Sequence, residues 1–226
     1  MRRIVDLTVP IEEHWRYGFK VTPVRTHANG DPWQCASYNL ESHWYTHIDA
    51  PLHFDPKGKT LDDYPIADWC ITDCLVLDFS DCGDNAAITG EMLEKASEPY
   101  KDRHFDSILI RTDRAKKAAW TSTEFWDSSP YLTEDAGIWI KNYAPKVVGY
   151  DFAQDYAIRQ IRTMKPGDEI IQPVHEHVLK QGEILQIEYI TNLWEIGADV
   201  CQLIALPLKT QHADGAQIRV IAVVEE

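Results

Sequence analysis

Between residues 42 and 54 the chain reads Ser-His-Trp-Tyr-Thr-His-Ile-Asp-Ala-Pro-Leu-His-Phe, which puts three of its nine histidines and one aspartate within eleven residues. Neutral imidazoles with a carboxylate are the donor set that a divalent ion such as Zn²⁺ or Mn²⁺ takes. Spacing limits how the chain could bring them together. A helix would align His43 with His47 but swing Asp49 about 200° away from His47. Pro51 also disfavours helix at Ala50. A fully extended strand would separate His43 from His47 by about 13 Å, too far to share one ion. A bend near Tyr45 followed by extended chain meets both demands, with His47 and Asp49 pointing the same way. The competing reading is a set of solvated or internally satisfied histidines, since histidine is only intermediate in burial. Two features weigh against it: the run leads directly into Ala50-Pro51-Leu52, and a second cluster lies downstream.

That second cluster is His175-Glu176-His177-Val178-Leu179, followed by Glu188 inside the apolar run Ile184-Leu185-Gln186-Ile187-Glu188-Tyr189. A glutamate in such a run is costly to bury unless it is paired or ligates a metal. Glu176 reads as solvent-facing. His177 is an alternative to His175 as the downstream ligand. No dinucleotide, phosphate-loop, His-Glu-x-x-His or nucleophile-elbow pattern is present. Ser122, Ser128 and Ser129 lack a local partner that would mark a nucleophile, so metal-activated water is the more economical one. The five cysteines form no Cys-x-x-Cys pair and no disulfide framework. Cys70 and Cys74 read as buried thiols.

The elements that must position these residues alternate between strand and helix. Ile4–Val9, Cys74–Phe79, Ser107–Thr112, Lys146–Asp151, Ile184–Ile190 and Ile218–Val224 read as strands. Thr89–Ala96 reads as a Thr-capped helix with Met92, Leu93 and Ala96 on one face. Thr133–Asn142 reads the same way, with acids in its first turn. The alternation predicts an α/β protein with a mixed sheet, and the absence of repeats or linkers predicts one domain spanning 1–226, with residues 1–40 as an aromatic-rich strand and arm. Trp15, Tyr17, Phe19 and Trp33 in that arm suit either a subunit contact or an aromatic wall for a flat substrate. The charge balance, 22 Lys+Arg against 36 Asp+Glu for a net −14, argues against nucleic acid and anionic membranes as partners. No apolar run approaches the roughly 20 residues of a membrane span, and Asp6 interrupts any apolar signal core. The expectation is a soluble, cytoplasmic protein.

The run from His43 to His53 resembles the pattern His-x-Gly-Thr-His-x-Asp-x-Pro-x-His of the bacterial cyclase-like metal-dependent hydrolases, a family that includes kynurenine formamidases and isatin hydrolases. Six of the pattern's seven fixed residues stand in register, with Tyr45 in place of the glycine. The opening Ile4–Ile11, Ile110-Arg111-Thr112, Val148–Asp151, His175-x-x-Val178-Leu179 with Glu188, Leu206–Lys209 and Asp214-Gly215 carry the likeness along nearly the whole chain. The resemblance implies that His43, His47 and Asp49 bind one metal, that Asp49, His175 and Glu188 bind a second, and that His53 shuttles protons. It places Trp44 and Tyr45 at the substrate, with one or two Zn²⁺ or Mn²⁺ ions per subunit. It also implies a swivelling β/β/α fold and a homodimer or homotetramer, the aromatic arm near a neighbour's site. Three departures stand out: Tyr45 for Gly, Asp113 where Gly commonly follows Arg-Thr, and a His175–Glu188 block one residue longer than usual, which predicts a bulge.

The activity implied is hydrolysis of a C–N amide bond in a small aromatic substrate, arylformamidase-like. The alternatives are a hydrolase of a cyclic amide or lactone such as an isatin-like ring, and a metal- or ligand-binding protein that has lost catalysis.

Overall fold

The computed structural model describes residues 1–165 and 167–225. Its strands are β1 (Arg2–Asp6), β2 (Lys20–Arg25), β3 (Cys35–Asn39), β4 (His47–Asp49), β5 (Ile71–Asp78), β6 (Ala87–Ile88), β7 (Ser107–Arg111), β8 (Tyr131–Leu132), β9 (Val147–Tyr150), β10 (Leu185–Glu188), β11 (Val200–Pro207) and β12 (Gly215–Glu225). The order β12-β11-β5-β7-β9-β10-β4 returns to β12, closing a mixed, barrel-like ring. The strands β5, β7, β9 and β10 run parallel to one another, and the remaining contacts in the ring are antiparallel. One long strand makes the closure: β12 pairs with β4 over Gly215–Gln217 and, further along the same edge, with β1 over Ile221–Glu225. Closure removes the free edges that a short strand such as β4 would otherwise expose.

Period-two alternation sorts the side chains to two sides. One face of every ring strand, including Ile48, Cys74, Val76, Leu109, Leu185, Ile187, Leu203 and Val220, fills the ring. Leu75, Leu77, Ile108, Ile110, Val148 and Tyr150 face outward and pack beneath helices Gly90–Ser97 and Glu134–Tyr143, through Leu93, Ala136 and Ile140. A third cluster is rich in aromatic rings, Tyr17, Tyr45, Trp120, Phe125, Trp126 and Tyr189, packed with Val9, Ala118, Ala153 and Ile158.

Most elements fall where the apolar runs put them, with informative differences. The first strand ends at Asp6, and beyond it Leu7 bonds to Val220 and Thr191 while Thr8 forms an isolated bridge to Ile190. Thr89 caps its helix through Met92 N, whereas the Thr133 hydroxyl donates to Ile88 O and makes no cap. Met92 lies more than a third exposed, off the face that Leu93 buries. Strand β11 is not among the expected strands: its outward Val200, Ile204 and Leu206 are apolar like its buried face, so hydropathy does not alternate along it. The expected bulge between His175 and Glu188 is absent. The extra residue is instead taken up by a π-helical turn, Glu176–Gln181, directly after His175, which widens the helix by one residue without disturbing the strand.

Candidate metal centre

Register places the chemistry on the outer face of β4 and β10. Across these antiparallel strands His47 pairs with Glu188, and Asp49 with Gln186, which sets each pair side by side on one face. On the other edge of β4, Gly215 lies opposite Asp49. A Cβ at Gly215 would come within 2.6 Å of His43 Cε1, so the missing side chain is the slot that receives the His43 ring.

The bend that returns His43 to this face centres on Tyr45 at φ 59°. Tyr45 thus takes up the left-handed backbone that glycine adopts without strain. Its ring packs against Tyr17 and Phe19, and its hydroxyl donates to Glu12 O. Next to it, the Thr46 hydroxyl donates to Tyr189 O and accepts Val9 N–H, fixing the bend to two other segments. Asp113 likewise holds φ 56° where glycine is usual, a region that Asp tolerates better than most residues.

Asp49 and Glu188 are buried and each spans two groups of histidines. Asp49 Oδ1 lies 2.7 Å from His43 Nδ1 and 3.2 Å from His47 Nε2, while Oδ2 lies 3.9 Å from His175 Nε2. Glu188 Oε1 is 2.9 Å from His175 Nε2, and Oε2 is 3.7 Å from His47 Nε2. Glu188 thus faces both halves of the cluster, not the second alone. His53 ends the short turn Pro51–His53, its ring stacked 3.7 Å from that of His43 and 5.8 Å from that of His175. His177 points away, to Gln181 and Glu134, so the downstream histidine at the cluster is His175. Glu176 pairs with Lys180 at half exposure. Trp44 lies half-buried, stacked on Tyr17, whereas the Tyr45 ring is only 1% exposed.

Four further residues complete the centre. Asp155 accepts His175 Nδ1 at 2.6 Å and also the backbone N–H groups of Val174 and His175. Asp214 takes His43 Nε2 at 2.8 Å. Gln186 donates to both Asp49 and Glu188, and Gln154 donates to Glu188. Gln186 was legible, being two residues before Glu188 on the same strand face. Asp155 carries no local signal, and Asp214 stood out only in a terminal Asp-Gly.

The three imidazoles in direct contact with Asp49 or Glu188 each have the other nitrogen against an oxygen: Tyr45 O for His47 at 2.8 Å, Asp155 for His175, Asp214 for His43. Those outer nitrogens donate, so each inner nitrogen of a neutral ring turns a lone pair toward carboxylate oxygens. Only a proton or a cation relieves that arrangement, and outer donors of this kind are how metal-binding histidines are oriented. Without a metal, protons fill the role. Burial lowers His43 and His175, but Asp49 with Asp214, and Asp155 with Glu188, outweigh it and raise them to about 9 and about 10. Burial works against ionisation of Glu188 as well, yet His175 and His47 bring it down to about 2. These residues, together with His53, group as potential ligand sets: His43-His47-Asp49, Asp49-His53-His175 and His43-His53-Asp214. The donor chemistry therefore fits a divalent ion. A separate cavity of about 650 Å³, lined by Ile48, Leu61, Tyr64 and Leu208 among others, holds none of these histidines, so cavity size does not locate the chemistry.

A closed mixed barrel bearing a buried cluster of histidines and carboxylates defines a protein of the metal-site class. The model of the Cyclase family, described as "Putative cyclase", matches residues 5–154. The chain belongs to that family. It is 28% identical over 182 residues to the kynurenine formamidase of Bacillus thuringiensis (strain Al Hakam), covering 80% of this chain and 76% of that one. In structure it is similar to isatin hydrolase A from Labrenzia aggregata, with TM-score 0.78, 23% identity, and 100% and 94% of the two chains covered. An isatin hydrolase bound to the product analogue thioisatinate superposes with TM-score 0.82 at 20% identity, covering 100% and 93%.

Proposed function

We propose that this chain is a metal-dependent hydrolase that cleaves a carbon–nitrogen amide bond in a small aromatic substrate, in the manner of the kynurenine formamidases it is similar to. The observation that carries the reading is the set of three imidazoles, each anchored on its outer nitrogen and turned onto two buried carboxylates. His43, His47 and Asp49 would hold one ion, and Asp49, His175 and Glu188 a second. A bound Zn²⁺ or Mn²⁺ supplies Lewis acidity toward a carbonyl oxygen and acidifies water near neutral pH.

The chain's own groups account for the proton traffic. Burial, together with the charge on His43 and His175, lowers His53 to about 4 against the pull of Asp49 and Glu188. That depression belongs to the metal-free protein, where His43 and His175 carry protons; with those rings neutral as ligands, the His53 imidazole would accept a proton from water and return it to the leaving nitrogen. Trp44, stacked on Tyr17 with Tyr45 beneath, offers a flat face to an aryl ring. Nearby Trp120, Trp126 and Tyr189 form an apolar wall that limits water.

The closed sheet with outer helices is consistent with a swivelling β/β/α fold. Val21, Val24 and Tyr38 of the β2–β3 ribbon and the adjoining Trp33 are all more than half exposed. An isolated two-stranded ribbon is marginal in water, which supports a homodimer or homotetramer with the arm near a neighbour's site. Among the described residues no helix is long and apolar enough to cross a membrane, and the reading is completed by a role in tryptophan catabolism in the cytoplasm.

The test is metal content by mass spectrometry together with turnover of N-formylkynurenine, on one sample, with isatin assayed beside it. The expected result is bound Zn²⁺ or Mn²⁺ and formate release that a chelator abolishes. Preference for isatin would move the assignment to the cyclic-amide alternative. Metal-loaded protein inert toward amides, esters and lactones would leave a binding protein.

A further inference from the structure

Asp214, the outer partner of His43, also approaches His53, so it reaches two of the histidines of the centre. Its Oδ2 lies 2.8 Å from His43 Nε2 and 3.9 Å from His53 Nδ1, and these two rings are stacked at 3.7 Å. It stands where β12 begins, and its backbone carbonyl accepts Ala50 N, tying it to the segment that carries Asp49 and His53. The next residue, Gly215, provides the slot for the His43 ring. An Asp-Gly pair thus does two jobs for one side chain: glycine admits the ring and aspartate fixes its rotation.

We propose that Asp214 is a positioning residue that makes His43 a ligand through Nδ1. With the carboxylate at Nε2, the Nε2–H tautomer is favoured and the Nδ1 lone pair is turned to Asp49. His47 and His175 are anchored at Nδ1, which leaves Nε2 inward. His43 therefore presents the other ring nitrogen from His47 and His175, and of the three it alone is oriented by the residue that leads into β12. The proposal rests on the metal-site reading above.

The experiment compares wild type, Asp214→Asn and Asp102→Asn, the last an exposed carboxylate that controls for charge in a net-negative chain. Zinc affinity is measured on metal-free full-length protein by chelator competition, the Co²⁺ absorption spectrum is recorded, and thermal unfolding is followed without metal. Loss of such an outer partner weakens metal binding about 10- to 100-fold. The expected result is a loss of that size in Asp214→Asn with an altered Co²⁺ spectrum, retained cooperative unfolding of the metal-free protein with only the shift due to the lost His43–Asp214 pair, and wild-type behaviour in Asp102→Asn. Turnover should fall in kcat with KM little changed. Affinity within twofold of wild type overturns the proposal, as does an equal loss in Asp102→Asn. If wild type itself takes up no zinc, it is the metal-site reading that fails.

Discussion

His53 and Asp49 lie four residues apart yet should respond differently to substitution. Asp49 meets three histidines with its two oxygens, so Asp49→Ala should abolish bound metal in elemental analysis. His53 is stacked outside the pair of carboxylates, and His53→Ala should retain metal while kcat falls by about 10²- to 10⁴-fold, the usual worth of a positioned acid–base group. Unchanged kcat would remove His53 from the proton path. Tyr45 poses a question of stability. Truncating a buried aromatic costs about 3–5 kcal/mol, and release of left-handed backbone returns about 1–2. Tyr45→Gly should therefore be about 2 kcal/mol less stable in urea unfolding, even though it restores the family residue. Equal stability would mean that the aromatic packing contributes little.

Among the elements, β4 is the shortest of the ring, and it works because both of its edges are occupied, by β10 on one side and β12 on the other. Three residues suffice to hold His47 and Asp49 in place when Glu188, Gln186 and Gly215 lie beside them. Gly215→Ala tests that lattice. The added methyl would also lie 3.0 Å from Ile48 O, which backbone cannot yield cheaply, so the His43 ring must leave its slot. Overpacking of this kind costs about 1–3 kcal/mol. Chelator competition should show at least a tenfold weaker zinc site, and unaltered affinity would show that His43 is not seated by this glycine. The π-helical turn after His175 absorbs the long spacer to Glu188, which is why the two residues still meet at 2.9 Å.

For the whole molecule, the centre couples folding to pH. Folded His43 and His175 titrate at about 9 and about 10 against an ordinary 6.5. Raised pKa values mean that their contribution is complete below 6.5 and is lost as pH rises through the folded values. Buried Asp151, pushed up to about 7 although Thr112 and Asp113 donate to it, acts with the same sign from about pH 4 to 7. Glu188 acts oppositely, its contribution vanishing as pH falls from 4.5 through about 2. Metal-free protein should thus melt at steadily lower temperature from pH 6.5 to 10 in the presence of chelator. Saturating zinc should flatten or reverse that decline, because the ion replaces the protons. A decline of the same size with and without zinc would separate the cluster from metal binding.

The mixed α/β class, the strands β5, β7, β9 and β12 and the residues of both His/carboxylate clusters were legible in the linear chain. Short apolar runs and donor-rich spacing are local properties, and a bend near Tyr45 followed from the distance between His43 and His47 alone. What folding alone decided is non-local. The closure of β12 onto β4, the choice of His175 over His177, the bridging by Glu188, and the entry of Asp155 and Asp214 all depend on register between segments far apart in sequence. A carboxylate that orients a ring from across a sheet has no signature in its own neighbourhood, because its partner is chosen by strand pairing and not by sequence distance.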